Sequence, residues 1–168
     1  MAVRADVDVR SLTVRDLLRL SARIVTELND RGVLRSRNAP AGDLAEHLVK
    51  RAFGGQLADP SVKSWDVQTG DRRLQVKCRL IEPGRRRSET FSPFRSWDFD
   101  ACVFMTFDCF SYDVLLAVEI PVAAVRAIAQ ESAWVKGHRV SVRQISVQIE
   151  GARDITDLIR HALDDLGE

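Results

Sequence analysis

The chain has 168 residues and a net charge of +1, with 45% hydrophobic and 29% charged residues. These values favour one compact domain whose core needs no disulfide or metal to fold. No stretch approaches the roughly 20 apolar residues that a membrane-spanning helix needs, and the N-terminus lacks the apolar core of a signal peptide. We therefore expect a soluble, cytoplasmic protein.

Two helices are predicted first, at residues 13–30 and 41–53. Thr13 is a suitable N-cap for the first helix, and Gly54-Gly55 ends the second. On the second helix an apolar stripe recurs at helical spacing, and Glu46 lies at its border. Glu46 is therefore expected at the edge of the buried helix face.

Residues 64–68 and 72–81 predict two strands of a tight hairpin. The connecting Gly70-Asp71 suits a two-residue turn, which places Thr69 opposite Arg72 and Val67 opposite Leu74. The same register places Trp65 opposite Val76, on the apolar face. On the polar face it places Asp66 directly opposite Gln75 and diagonal to Lys77.

The second half of the chain predicts a loop, two buried strands, a helix, further strands and a final helix. Apolar runs favour strands near 99–107 and 113–120, and Pro121 is suited to open a helix reaching about Trp134. Valine and isoleucine alternate over 140–149, with a break near 143–144, which is typical of a bulged strand. Residues 154–166 predict a short amphipathic helix.

Charge is distributed unevenly along the chain. Residues 72–95 contain eight basic and two acidic side chains, whereas residues 150–168 contain six acidic and two basic ones. This pattern indicates a surface that faces a polyanion, although a solvated charged loop with an acidic tail helix would give the same pattern. The three cysteines show no CxxC pair and the three histidines no metal-ligand spacing, so we expect neither a zinc site nor disulfides.

The polar face of the hairpin carries the groups that phosphodiester hydrolysis requires. A carboxylate-bound Mg²⁺ neutralises the phosphoryl oxygens and activates water, and a nearby lysine stabilises developing charge. The hairpin supplies the Asp66 carboxylate, the Gln75 amide oxygen, the Val76 carbonyl and the Lys77 amine. Glu46 is placed to add a second carboxylate from the preceding helix.

Asp66 followed by Leu-Gln75-Val-Lys77, with Glu46 in the preceding helix, resembles the PD-(D/E)XK, restriction-endonuclease-like superfamily. The resemblance implies an α/β fold, with an αβββαβ core over 41–150 whose central mixed sheet is flanked by helices. It leaves residues 1–40 as an N-terminal helical extension and 151–168 as an acidic C-terminal helix. Trp65 stands where the family usually has proline, and Gln75 replaces an acid, as in Mrr-like restriction enzymes.

By this resemblance the protein would be a Mg²⁺-dependent DNA endonuclease, plausibly in restriction or phage defence, with Mn²⁺ able to replace Mg²⁺. Asp66, Gln75, Lys77 and Glu46 would be catalytic, and Asp66, Gln75, Val76 and Glu46 would hold the metal. Double-stranded DNA would be the partner, and cutting both strands would favour a homodimer. The basic side chains expected to grip the phosphate backbone are Lys63, Arg79, Arg85, Arg86, Arg87 and Arg95.

Other interpretations stay open at this point. Asp66 and Lys77 could form an ordinary surface ion pair, worth under about 1 kcal/mol. Because Gln75 removes one charge from the metal site, the chain could be an inactive nuclease-derived module that binds nucleic acid or assembles with a partner. An interaction domain that docks through its C-terminal helix is a third possibility. Phe91, Phe94 and Trp97 are expected to be buried beneath the basic loop rather than stacked on bases.

Overall fold

The computed structural model describes residues 8–84 and 89–167. Its helices are α1 (Val14–Asp30), α2 (Pro40–Phe53), α3 (Val122–Ile128) and α4 (Thr156–Asp164). Its strands are β1 (Gln56–Leu57), β2 (Val67–Thr69), β3 (Arg72–Ile81), β4 (Ala101–Asp108), β5 (Val114–Pro121), β6 (Gln130–Ser132), β7 (Gly137–Arg139) and β8 (Arg153–Asp154). Short 3₁₀ turns occupy Val9–Ser11 and Asp165–Gly167.

Six strands form one mixed sheet in the order β1-β2-β3-β4-β5-β8. Only the central β3–β4 pair is parallel among these neighbours, and the other pairs are antiparallel. Strands β6 and β7 form a separate antiparallel hairpin. The fold is therefore a mixed α/β architecture, as the sequence predicts.

Each face of the sheet is covered by its own hydrophobic core. One core joins α2 and α4 to the sheet and includes Leu48, Leu74 and Ile159. The other core is rich in aromatic residues and includes Phe91 and Phe104, with Val125 from α3. Since both central strands β3 and β4 are buried between two layers, polar side chains gain exposure mainly at the strand ends and at the β2 edge.

The first two helices begin and end where the sequence predicts. The Asp16 N–H donates to the Thr13 hydroxyl at 3.2 Å, and the residue after α2, Gly54, adopts a left-handed conformation at φ +64°. Helix α1 has no buried residues, so its apolar side chains remain partly exposed. No helix within residues 8–84 and 89–167 is long and apolar enough to span a bilayer.

Gly55 lets the end of α2 approach β2 closely. A Cβ at this position would lie 2.6 Å from the Gln68 carbonyl oxygen and 2.9 Å from a Val67 methyl. Both neighbours belong to packed structure, so we expect Gly55→Ala to lower the free energy of unfolding by about 1–3 kcal/mol. Urea unfolding followed by circular dichroism measures this change.

Gly42 provides the matched control for that substitution. It lies in α2, and an added Cβ would meet nothing within 4 Å. Gly42→Ala should therefore stabilise the protein by up to about 1 kcal/mol through helix propensity alone. Equal effects of the two substitutions would contradict a steric role for Gly55.

The hairpin keeps its predicted register near the turn and loses it further out. Thr69 pairs with Arg72 and Val67 pairs with Leu74, as predicted. The Asp66 N–H then also donates to the Leu74 carbonyl at 2.9 Å, so two successive residues face one partner, as in a bulge. Trp65 consequently packs against the aromatic-rich core. The prediction that Trp65 lies opposite Val76, on the same face as Val67, is wrong for this reason.

Two predictions for the second half of the chain need correction. Helix α3 ends at Ile128, because Ala129 is extended and Gln130 pairs with Arg139 in the β6–β7 hairpin. The predicted strand over 140–149 is replaced by turns. Val140 is buried there, but its carbonyl accepts from Phe91 at 2.9 Å, so this segment pairs with residues 89–94 instead of the main sheet. The strands β4 and β5 and the final helix α4 are as predicted.

Candidate functional site

The side chains of Asp66 and Gln75 are in contact, although the bulge sets the Asp66 backbone beside Leu74 and not directly opposite Gln75 as the sequence predicts. The Gln75 side-chain amide donates to Asp66 Oδ2, and the Val76 backbone N–H donates to the same oxygen at 2.7 Å. The Asp66 carboxylate thus replaces the backbone partner that a regular β2 would have offered Val76. The bulge that turns Trp65 away is the same feature that aims Asp66 at β3.

Glu46 on α2 is influenced by the charge of Asp66. Its pKa is raised, first by burial and second by the negative charge of Asp66. The Arg35 guanidinium donates to Glu46 Oε2 at 2.5 Å and opposes this rise in the pKa. The predicted role of Glu46 as a second carboxylate beside Asp66 stays a prediction.

Asp66 is also held in an environment that disfavours its charge. Burial raises the pKa of Asp66, and the Val76 N–H, Lys77, Arg35 and Gln75 only partly offset that rise. Burial thus disfavours the charged form of both carboxylates, and the charge of Asp66 further disfavours ionisation of Glu46. A bound cation would relieve both penalties.

Lys77 shares the sheet face, but its ammonium group points towards the connection that follows β3. It donates to the Ser92 hydroxyl at 3.0 Å and lies 5.0 Å from the centre of the Phe94 ring. Its charge still lowers the pKa of Asp66. The contacts of the Lys77 ammonium group are therefore with Ser92 and Phe94, and its charge acts on Asp66 through space.

The available donors suit a weakly charged site for a hard cation. Within the described residues, no group of three or more histidine, cysteine, aspartate or glutamate side chains is arranged to hold a metal ion. The side chains that would coordinate the cation are the Glu46 and Asp66 carboxylates and the Gln75 amide. The Val76 carbonyl joins them, since in a strand it points to the same edge as the Val76 N–H. One or two carboxylates are what Mg²⁺ ordinarily takes from a protein, so this set fits Mg²⁺.

Arg35, in the connection between α1 and α2, contacts Glu46 and was not identified from the sequence. Besides contacting Glu46, it donates to the Ala58 carbonyl at 3.0 Å. Its position is fixed by Asp43 in the first turn of α2, which accepts the backbone N–H groups of Arg35 at 2.8 Å and Ser36 at 2.7 Å. The sequence signal for this contact was an acidic residue, Asp43, in the first turn of a helix that follows a polar connection.

Only some of the side chains predicted to bind the phosphate backbone lie within the described residues. Lys63, Arg79 and Arg95 are exposed, whereas Arg85, Arg86 and Arg87 lie outside the described residues. Phe91 and Phe94 are buried, and the half-buried Trp97 stacks on Phe94 at 5.2 Å between ring centres. The expected burial of these aromatic side chains is confirmed.

The cysteines do not add a nucleophile to the site. All three are free, and burial, followed by the charge of Glu46, raises the pKa of the Cys78 thiol to about 11. Burial also raises the pKa of Cys102. Both side chains are therefore neutral at physiological pH.

No protein-family model matches this sequence, and no curated protein matches it significantly. The resemblance to PD-(D/E)XK nucleases thus rests on the positions of Glu46, Asp66, Gln75 and Lys77 in the sequence.

Proposed function

We propose that this protein is a Mg²⁺-dependent DNA endonuclease related to the PD-(D/E)XK enzymes. The observation that carries the proposal is the contact of Asp66 with Gln75 and the Val76 N–H, beside Glu46 and on the sheet face that also bears Lys77. Glu46, Asp66, Gln75 and Lys77 follow one another along the chain in the order of the family motif.

Asp66 and Glu46 would hold the metal, with the Gln75 amide oxygen and the Val76 carbonyl as neutral donors. The bound metal supplies Lewis-acid stabilisation of the phosphoryl oxygens and a more acidic water. The chain itself contributes the orientation of Asp66, which is set by the Val76 N–H at 2.7 Å. Arg35 orients Glu46 in the same way from the opposite side.

Lys77 would stabilise the negative charge that develops on the phosphate. Its ammonium group is held by Ser92 and by the ring of Phe94, so it is directed before substrate arrives. A fixed positive charge in a partly desolvated site is more effective than one that must reorganise. Exposed Arg79 and Arg95 would add sequence-independent contacts to the DNA backbone.

The mixed sheet supports the family proposal at the level of architecture. Helix α2 is followed by the two-residue β1, by antiparallel β2 and β3, and then by β4, which is parallel to β3. Where the family pattern calls for a strand after α3, this chain has the β6–β7 hairpin and the two-residue β8. Under the proposal, the enzyme acts on double-stranded DNA as a homodimer, one active site for each strand.

A second candidate function is a nucleic-acid-binding module without catalysis. Two observations favour it: Gln75 directs its amide donor at Asp66, and no three-acid or histidine-containing group occurs within the described residues. Such a module would keep the basic surface and lose only the metal chemistry. It would bind nucleic acid with strong salt sensitivity, and that binding would survive Asp66→Ala.

Plasmid cleavage in Mg²⁺ or Mn²⁺ tests the proposal. We expect the wild-type protein to nick or linearise supercoiled DNA and Lys77→Ala to cut about a hundredfold more slowly, because one preorganised charge is lost. Lys50→Ala removes a lysine on α2 outside the site and should cut at the wild-type rate.

Two outcomes separate the candidate functions. An equal absence of cutting by wild type and Lys77→Ala, over several substrates and both metals, would rule out the enzyme. If DNA binding then persisted in Asp66→Ala, the binding module would be the better account.

A further inference from the structure

The tip of the β6–β7 hairpin presents a tryptophan to solvent. Trp134 is 92% exposed, the largest exposure among the large hydrophobic side chains that the structure describes. It lies in the four-residue turn between Ser132 and Gly137, where Lys136 adopts a positive φ of 49°. A tight turn that raises an indole ring into water places a large flat apolar surface where a binding partner can reach it.

The hairpin is anchored to the segment that holds Lys77. His138 of β7 exchanges two backbone hydrogen bonds with Phe94, at 2.8 and 2.9 Å, and its ring lies 5.2 Å from that of Trp97. Gly137 packs so closely that a Cβ would lie 2.6 Å from the Phe94 carbonyl oxygen. Since Phe94 is the ring beneath Lys77, the base of the hairpin is fixed next to the proposed site.

One nucleic acid is large enough to contact both Lys77 and the hairpin tip. Trp134 lies four positions before His138, and an extended chain of that length spans at most about 14 Å. The major groove of DNA is about 12 Å wide, a comparable length.

The charges around the tip suit a polyanion. Lys136 and Arg139 lie in the hairpin and Arg143 follows it, against one acid, Glu131. A second exposed aromatic residue, Phe110, provides a contrast. It is 77% exposed in the turn between β4 and β5, and its backbone N–H donates to the Asp108 carboxylate. Asp113 also lies in this turn, so the charges beside Phe110 are acidic.

We propose that Trp134 stacks on an unpaired base of the nucleic acid held at the Asp66–Lys77 site. This inference rests on the proposed function and deepens it, since it makes double-stranded DNA with locally unpaired or easily unstacked bases a better substrate than fully paired duplex. A π-face stacks on any base, so the contact adds affinity without reading sequence. The basic side chains beside it contact the phosphates, and the indole captures the base that leaves the stack.

The test compares binding of a single-stranded oligothymidylate and a blunt duplex of equal length, at one salt concentration, with Ca²⁺ replacing Mg²⁺. Trp134→Ala should weaken single-strand binding roughly tenfold to a hundredfold, Trp134→Phe should restore most of it, and duplex binding should change less. Phe110→Ala is the matched control and should bind like wild type. A 2-aminopurine base in the oligonucleotide should be quenched by wild type and not by Trp134→Ala.

Each other outcome overturns the proposal in a distinguishable way. If wild type and Trp134→Ala bind the single strand equally, the proposed function stands and the stacking contact does not exist. If light scattering shows that Trp134→Ala dissociates a dimer, and this accounts for the whole loss of binding, the indole belongs to an interface between copies. If the wild type binds no nucleic acid, both the proposed function and this inference fail.

Discussion

Asp66→Asn is expected to slow DNA cleavage by about a thousandfold or more while making the metal-free protein more stable at neutral pH. The cleavage loss follows because Asp66 is the central metal donor, and asparagine removes its charge while preserving its shape. The gain in stability follows because burial raises the pKa of Asp66 and the Asp66 charge raises the pKa of Glu46. One substitution should therefore move activity and stability in opposite directions.

The pH dependence of stability has a definite sign. The folded pKa values of Asp66 and Glu46 lie above their ordinary values of 3.8 and 4.5, so within this window the folded state binds more protons than the unfolded state. Stability from these groups is full below their ordinary pKa values and falls as pH rises through the raised ones. The urea midpoint of Asp66→Asn, measured in EDTA, should match that of wild type near pH 3.5 and exceed it at pH 7.5.

Asp59→Asn is the control for both effects. Asp59 is exposed and accepts hydrogen bonds from Ser61, with a lowered pKa. Its replacement should leave cleavage unchanged and should not raise the urea midpoint at pH 7.5. A less stable Asp66→Asn at pH 7.5 in EDTA, or one that cuts at the wild-type rate, would contradict the role assigned to Asp66.

Phe104→Ala is expected to lower the free energy of unfolding by about 3–5 kcal/mol, the largest stability effect we predict. Phe104 is fully buried in β4 and packs on Phe91 and Phe94, with ring centres 4.9 and 6.0 Å away. These rings belong to the connection from β3 to the parallel β4. Losing Phe104 therefore leaves a cavity and also loosens the segment that holds Lys77.

Leu115→Ala serves as the comparison on the neighbouring strand, because Leu115 is exposed in β5. It should change the free energy of unfolding by about 0.5 kcal/mol or less. Guanidinium unfolding of the two variants measures the difference. A loss below about 1 kcal/mol for Phe104→Ala would mean that this aromatic cluster does not hold the connection in place.

The parts of the site governed by local rules could be predicted from the sequence. The Gly70-Asp71 turn sets a two-residue hairpin, and the buried Val67 and Leu74 hold its register as far as their own pair. Helical spacing likewise places Glu46 at the edge of the buried face of α2. In each case neighbours in the chain determine the geometry.

The features that the sequence did not reveal depend on distant partners. The face of Trp65 is decided by the bulge at Asp66, whose carbonyl accepts from Ala58 at 2.8 Å and whose carboxylate takes the Val76 N–H. The β6–β7 hairpin replaces the predicted end of α3 because the segment around Phe94 pairs with His138. Periodicity alone cannot indicate such non-local pairings, since the same apolar spacing suits either partner.

Crystals grown with Mn²⁺ test the central claim most directly. Anomalous diffraction should place one Mn²⁺ ion between Asp66 and Glu46, with ligand distances of about 2.0–2.3 Å, the range of hard divalent cations bound by oxygen. The same peak should be absent in crystals of Asp66→Asn. A wild-type crystal saturated with Mn²⁺ that shows no peak at Asp66 would contradict the metal-nuclease account.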